Sequence, residues 1–125
     1  MEARRLILDL SSDVGELSGS EGAAVDAAIL ECVTSANVAC GGHVGDAASM
    51  ARVCQVAVAR GVAIGAQVSF LDREGFGRRR LTVAFDTLVS QLAEQLGQLH
   101  VAATAAGGGV TYMRPHGALY NAALV

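Results

Sequence analysis

Short apolar runs and stretches of helical period alternate along this chain, and that alternation restricts its fold more than any other feature. Arg4 to Leu10 (RRLILDL) is an apolar run ending at an acid, and Ser35 to Cys40 (SANVAC) is a second, ended by Gly41-Gly42. Gly61 to Ser69 (GVAIGAQVS) is the third and Val110 to Pro115 the fourth. Runs this short and apolar predict buried strands. Between the first two, Ser20 precedes a helical stretch through Ala24, Ala28 and Cys32. Met50, Val53, Cys54, Ala57 and Val58 then fall on one helical face that Gly61 closes. After the polar loop LDREGFGRRR, a long helix beginning near Thr82 aligns Phe85, Leu88, Val89, Leu92, Leu96 and Leu99, and Gly107-Gly108-Gly109 ends it. Strands that alternate with helices predict parallel βα units, whose functional residues gather at the strand C-terminal ends.

Composition removes several classes of function. A chain of 125 residues with 52% hydrophobic content and a net charge of −3 fits a single soluble globular domain over residues 1–125, with a core of its own. The mildly acidic balance gives no basic footprint, so nucleic acid is not an expected partner. No apolar run approaches the roughly 18 residues of a membrane span, and RRLILDL is too short and too soon acidic for a secretory signal. The expectation is a cytoplasmic protein that does not enter a membrane. Cys32, Cys40 and Cys54 form no C-x-x-C pair, which argues against a disulfide framework or zinc knuckle. Cys32 and Cys54 read as buried small hydrophobes, whereas Cys40 adjoins the Gly41-Gly42-His43 turn.

Placed on those units, the polar residues form a constellation. Asp9 and Asp13 follow the first strand, Asn37 and His43 belong to the second and its exit, Gln67 and Ser69 end the third, and His116 ends the fourth. In one curved parallel sheet these groups converge on a single mouth. Pro115 fixes the backbone before His116, and Gly117 after it permits a close approach. A carboxylate beside an imidazole suits water activation or proton shuttling near neutral pH. Asp13 before Val14-Gly15 also suits a plain turn, and Asp46 suits a cap on the helix that starts at Ala47. An acid ending an apolar strand is costly to bury without a task, which favours a role for Asp9. Asp plus two His is also a ligand set for a hydrolytic metal ion, but no H-x-x-x-H or H-E-x-x-H pair occurs, so no metal ligands are assigned.

The blocks DLSSDVGE, VTSANVACGGHVGD, GVAIGAQVSFLDREGFGRRR and RPHGALYN, in that order, resemble the signature blocks of the LamB/YcsF family, to which the 5-oxoprolinase A subunits belong. The resemblance implies a parallel β/α barrel of the glycoside hydrolase/deacetylase type. With four βα units, the chain resembles the N-terminal half of such a barrel, since a complete one needs about 200 residues or more. It implies ATP-dependent opening of the lactam of 5-oxoproline to glutamate, together with partner subunits B and C. Asp9, Asp13, His43, Asp46 and His116 are the matching family positions, the resemblance implying acid–base and positioning roles; Asp9, Asp13, His43 and His116 are assigned as catalytic, and Asp46, with Asn37, Gln67 and Ser69 from their strand-exit placement, as substrate-binding. The chain has no G-x-x-x-x-G-K-[ST] loop and its basic residues are all arginine, so ATP is expected on the partners. Whether a metal is involved stays open.

Three positions depart from the family pattern. Gln67-Val68 stands where the family usually has His-Pro, Ser11 where it has Asn, and Leu17 where it has Gly. Glutamine hydrogen-bonds but does not exchange a proton near pH 7. Beside the enzyme reading, two alternatives follow: a non-catalytic remnant that binds partner subunits, or a metal-dependent deacetylase-like hydrolase. Four parallel strands also leave unpaired edges, which predicts a homodimer.

Overall fold

The computed structural model describes residues 5–123. The elements are β1 (Ser11–Val14), α1 (Gly19–Leu30), β2 (Ser35–Ala39), α2 (Ala47–Arg60), β3 (Ala63–Val68), α3 (Phe85–Ala105), β4 (Val110–Pro115) and α4 (Gly117–Ala122). The four strands form one sheet in the order β1-β2-β3-β4, and all neighbours are parallel. Sequential parallel order with a helix in every connection is the arrangement of a β/α barrel; a doubly wound sheet reverses its strand order part-way. The sheet is thus four consecutive βα units of a barrel-type fold. No helix among the described residues is long and apolar enough to cross a membrane.

Pleating gives each strand two faces. Ala36, Val38, Ile64, Ala66 and Val68 point toward the helices and join Met50, Val53, Cys54, Ala57, Leu99 and Ala103 in one core. The opposite face carries Asp13, Asn37, Gly65 and Tyr112, which lie side by side in register across all four strands. A register shift between Ile64 and Gly65 sets Ile64 beside Val110 but Gly65 beside Tyr112. This bulge turns Tyr112 onto the polar face. A Cβ on Gly65 would stand 2.2 Å from the Tyr112 ring, so glycine is what lets that ring cross β3.

The helix α2 has the face its period predicts, with Met50, Val53, Cys54 and Ala57 buried, and it ends at Gly61 in the left-handed region. Strands β2, β3 and β4 fall where the apolar runs place them, with ends shifted by at most two residues. Three expectations need correction. The first strand is not Arg4–Leu10: Arg4 lies outside the described residues, and Leu6 and Ile7 are 92% exposed. Because β2 begins at Ser35 and pairs with Ser11, chain preceding Ser11 has no strand on β2 to lie against.

The face of α1 is also reversed. Ala24, Ala28 and Cys32 are exposed, while Gly22, Asp26 and Leu30 are buried. Asp26 turns inward because it has partners there: its carboxylate accepts the Gly15 amide at 3.0 Å and the Arg52 guanidinium at 2.8 Å. In α3, Phe85 and Val89 are exposed and the buried positions are Gln95, Leu99 and Ala103. Burial pushes the Cys40 thiol up to about 12 and the Cys54 thiol to about 11, so neither serves as a thiolate near neutral pH.

Candidate functional site

The exits of the strands bring Glu16, His43, Gln67, Ser69 and His116 together. Glu16 lies two residues after β1, His43 lies in the turn after β2, Gln67 and Ser69 come from the end of β3, and His116 follows β4. The rings of His43 and His116 stack, with centroids 3.8 Å apart and planes 14° from parallel. Phe76 presents its ring edge-on to both, at 5.0 Å and 5.5 Å.

The partners fix the donor roles on each ring. The Phe76 carbonyl lies 2.9 Å from His116 Nε2 and can only accept, so that nitrogen carries a proton. His116 Nδ1 then accepts from the Gln67 amide at 3.1 Å. On His43, Nδ1 lies 3.2 Å from Ser69 Oγ, whose own proton goes to the Phe70 carbonyl. His43 Nδ1 is therefore the donor to Ser69, and Nε2 is left facing a Glu16 carboxylate oxygen at 3.4 Å. His43 is 1% exposed, and among the described residues Nε2 has no other partner. At that separation a small movement brings carboxylate and imidazole within reach of proton transfer. Burial pushes the Glu16 carboxyl up, but the His43 hydrogen bond, the charges of His43 and His116 and the Gln67 amide together hold it below the usual range.

Three side chains outside the cluster hold these exits in place. Asp26 pins the Gly15 amide directly before Glu16. Gln95, buried on α3, accepts the Ser69 amide at 3.0 Å and donates to the Ser69 carbonyl at 2.9 Å. Asp72 accepts from the Arg79 side chain and from the Gly75 amide, which shapes the loop that carries Phe76. Phe76 sits at φ 53, unusual for a non-glycine residue, and its carbonyl is thereby aimed at His116. Gly117 permits a close approach: its neighbour Ala118 donates its amide to the Gly77 carbonyl, and a Cβ on Gly117 would lie 2.5 Å from that oxygen.

The expected residues divide by position. His43, Gln67, Ser69 and His116 meet in the cluster. Asp13 and Asn37 lie one layer below: Asn37 donates to Asp13 at 3.0 Å and accepts the Tyr112 hydroxyl at 2.7 Å. Asp46 is exposed and caps α2, accepting the Ser49 amide at 2.8 Å while Ser49 Oγ accepts the Asp46 amide. Its side chain therefore has the capping role.

Asp9 departs most from expectation. It precedes β1, at the foot of the sheet, about 16 Å of strand away from the exits at ~3.3 Å per residue. There the hydroxyls of Thr34 and Ser35 donate to it and hold its carboxyl below the usual range. The misplaced first strand is the cause: read as ending at Leu10, it put Asp9 at an exit. Glu16, Phe76, Gln95 and Asp26 join the site without having been expected there. The signal for Glu16 was present, an acid directly after a glycine that ends a strand, within the block DLSSDVGE.

Residues 8–125 match the LamB/YcsF family. The chain belongs to that family. Among curated LamB/YcsF proteins, it is 55% identical over 115 residues to the 5-oxoprolinase A subunit of Streptomyces griseus, covering 92% of this chain and 46% of that protein. It is 53% identical to the 5-oxoprolinase A subunit of Mycolicibacterium gilvum over the same shares. The crystal structure of the lactam utilization protein from Thermus thermophilus superposes with a TM-score of 0.85 at 35% identity, over 94% of this chain and 48% of that one. The chain spans about half the length of the LamB/YcsF relatives it matches.

Proposed function

We propose that this chain supplies the acid–base part of an ATP-dependent 5-oxoprolinase in the cytoplasm, opening the lactam of 5-oxoproline to L-glutamate as part of the enzyme's A subunit. The observation that carries the reading is the buried Nε2 of His43 turned onto Glu16 at the strand exits, against a second imidazole. A five-membered lactam re-forms readily from glutamate, so its hydrolysis needs coupling to ATP cleavage. Subunits B and C carry ATP in this scheme, and the residues of this chain supply no phosphate-loop motif to it.

The chemistry asked of this chain is proton transfer. With the lactam oxygen phosphorylated by ATP, water adds to the ring carbon as its proton passes to the Glu16 carboxylate and on to an imidazole; the ring C–N bond then breaks as the nitrogen takes a proton from that imidazolium, and a second water splits the acyl phosphate into glutamate and phosphate. His116 lines a cavity with Gln67 and is the imidazole placed to pass the proton on once the Gln67 amide yields Nδ1. The test is coupled turnover, read as glutamate release with ATP and partner subunits present. His116→Ala is expected to lower it about a hundredfold to ten-thousandfold with the fold intact; near-normal turnover would refute the assignment.

A metal-dependent hydrolase is the second reading, because ligand atoms of Glu16, His43 and His116 lie within 4.8 Å of one another. The rings fit an ion poorly. They stack face to face, so one ion cannot lie in both ring planes, and both nitrogens of His116 already have protein partners. Stoichiometric metal in purified protein, with activity lost on chelation, would favour that reading. Partner binding without turnover would favour the non-catalytic one.

A further inference from the structure

We propose that Arg114 binds the carboxylate of the substrate and so makes the site selective for lactams that carry an acid group beside the ring nitrogen; this rests on the 5-oxoprolinase reading. Arg114 lies in register with Gln67 and so shares the polar face of the sheet, one layer above Tyr112. It lines a cavity of about 190 Å³ together with Asp13, Gln67, His116, Tyr120 and Asn121. Arg114 is the only guanidinium on this cavity, and among the described residues it joins no ion pair.

The arrangement matches the chemistry of a 2-carboxylactam. A guanidinium fork takes a carboxylate through two parallel hydrogen bonds. In such a substrate the ring N–H sits on the atom next to the one bearing the carboxylate. Arg114 and Asp13, both on this cavity, therefore take the carboxylate and the N–H together. Asp13 already accepts the Asn37 amide at 3.0 Å and keeps a second oxygen for the substrate. The lactam carbonyl, on the far side of the nitrogen, is then turned toward Gln67 and His116, where the proton chemistry is placed.

The experiment is a calorimetric titration of the full chain and its Arg114→Gln and Arg114→Lys variants with 5-oxoproline, 5-oxoprolinamide, 2-pyrrolidinone and L-proline. The unaltered protein should prefer 5-oxoproline over its amide by about 10- to 100-fold, the range of a charge-assisted hydrogen bond. Arg114→Gln should erase that preference while leaving 2-pyrrolidinone affinity unchanged. Arg114→Lys should restore only part of it, because an ammonium lacks the planar fork. Equal affinity for acid and amide, or a preference that survives Arg114→Gln in a folded variant, overturns the clamp and leaves the lactam reading standing. Arg114-dependent binding of L-proline without any lactam binding upholds the carboxylate site and overturns the lactam reading. No binding of any ligand overturns both.

Discussion

The two central strands and the two outer strands of this sheet are built to different standards. Every residue of β2 is buried, as is every residue of β3 after Ala63, whereas β1 and β4 are mostly exposed or half-buried along their length. The cluster at the exits draws on both kinds. His43, Gln67 and Ser69 come from the closed centre, and Glu16 and His116 from the open edges. The centre can hold its share of the site by its own packing. The position of the edge residues depends on specific ties, the Asp26 bond to Gly15 on one side and the Phe76 and Gln67 bonds to His116 on the other. Substitutions of the apolar core residues in the centre should therefore register mainly as stability, and those at the edges as activity or assembly.

The largest stability contrast tests that division directly. Leu99→Ala opens a cavity under the centre of the sheet, at a residue with no exposure, and is expected to lower unfolding free energy by about 2–5 kcal/mol. Leu8→Ser, on chain that is 79% exposed before β1, should change it by less than about 0.5 kcal/mol. Chemical denaturation of both variants decides the point, and equal losses would break the comparison. The edges instead predict association. The unpaired N–H and C=O groups of β1 and β4 favour pairing with a second copy of the chain, so light scattering on the chain alone should report a dimer or larger. A monodisperse monomer would show that the outer strands are stable uncovered.

A smaller effect is expected where centre and edge cross. Gly65→Ala forces a methyl into the Tyr112 ring, and overpacking of that kind costs about 1–3 kcal/mol. It also displaces Tyr112 from Asn37 and so loosens Asp13. Tyr112→Phe in the Gly65→Ala background should recover little, because the clash is with the ring and not with the hydroxyl. Recovery of most of the loss by that double variant would mean that the displaced hydroxyl, and not the ring, carries the cost.

How much of this was legible in the sequence follows the same division. The α2 face and strands β2, β3 and β4 could be read because burial there is apolar and periodic. His43, Gln67, Ser69 and His116 could be placed at strand exits for that reason. What failed to read was set by polar contacts between distant segments. Asp26 reverses the face of α1 because Gly15 and Arg52 satisfy it, a pairing no helical period reveals. The start of β1 is set by where β2 begins, so RRLILDL looked like a strand and drew Asp9 to the wrong end of the sheet. Phe76 joins the site through a left-handed backbone that the loop sequence does not announce.

The smallest predicted effect separates two acids whose carboxyls are both held below the usual range, one at the edge of the site and one inside a loop. Asp72 is lowered first by its hydrogen bond from Arg79, within a loop that closes on itself. Glu16 is raised by burial, then lowered further by His43, His116 and Gln67, so its shift exists only while the strand exits stay assembled. A carboxyl depressed in the folded state adds stability that is fully present above its unfolded value, here 4.5, and is lost as pH falls through the lower folded value. Glu16→Gln should therefore flatten the stability curve below about pH 4.5 and leave acid sensitivity from Asp72 in place. Thermal melts between pH 3 and 7, about the range that brackets both carboxyls, measure this. If the variant and the unaltered chain lose stability in parallel over the acid range, the assembled exits do not hold the Glu16 carboxyl down, and the edge contributes nothing electrostatic to the site.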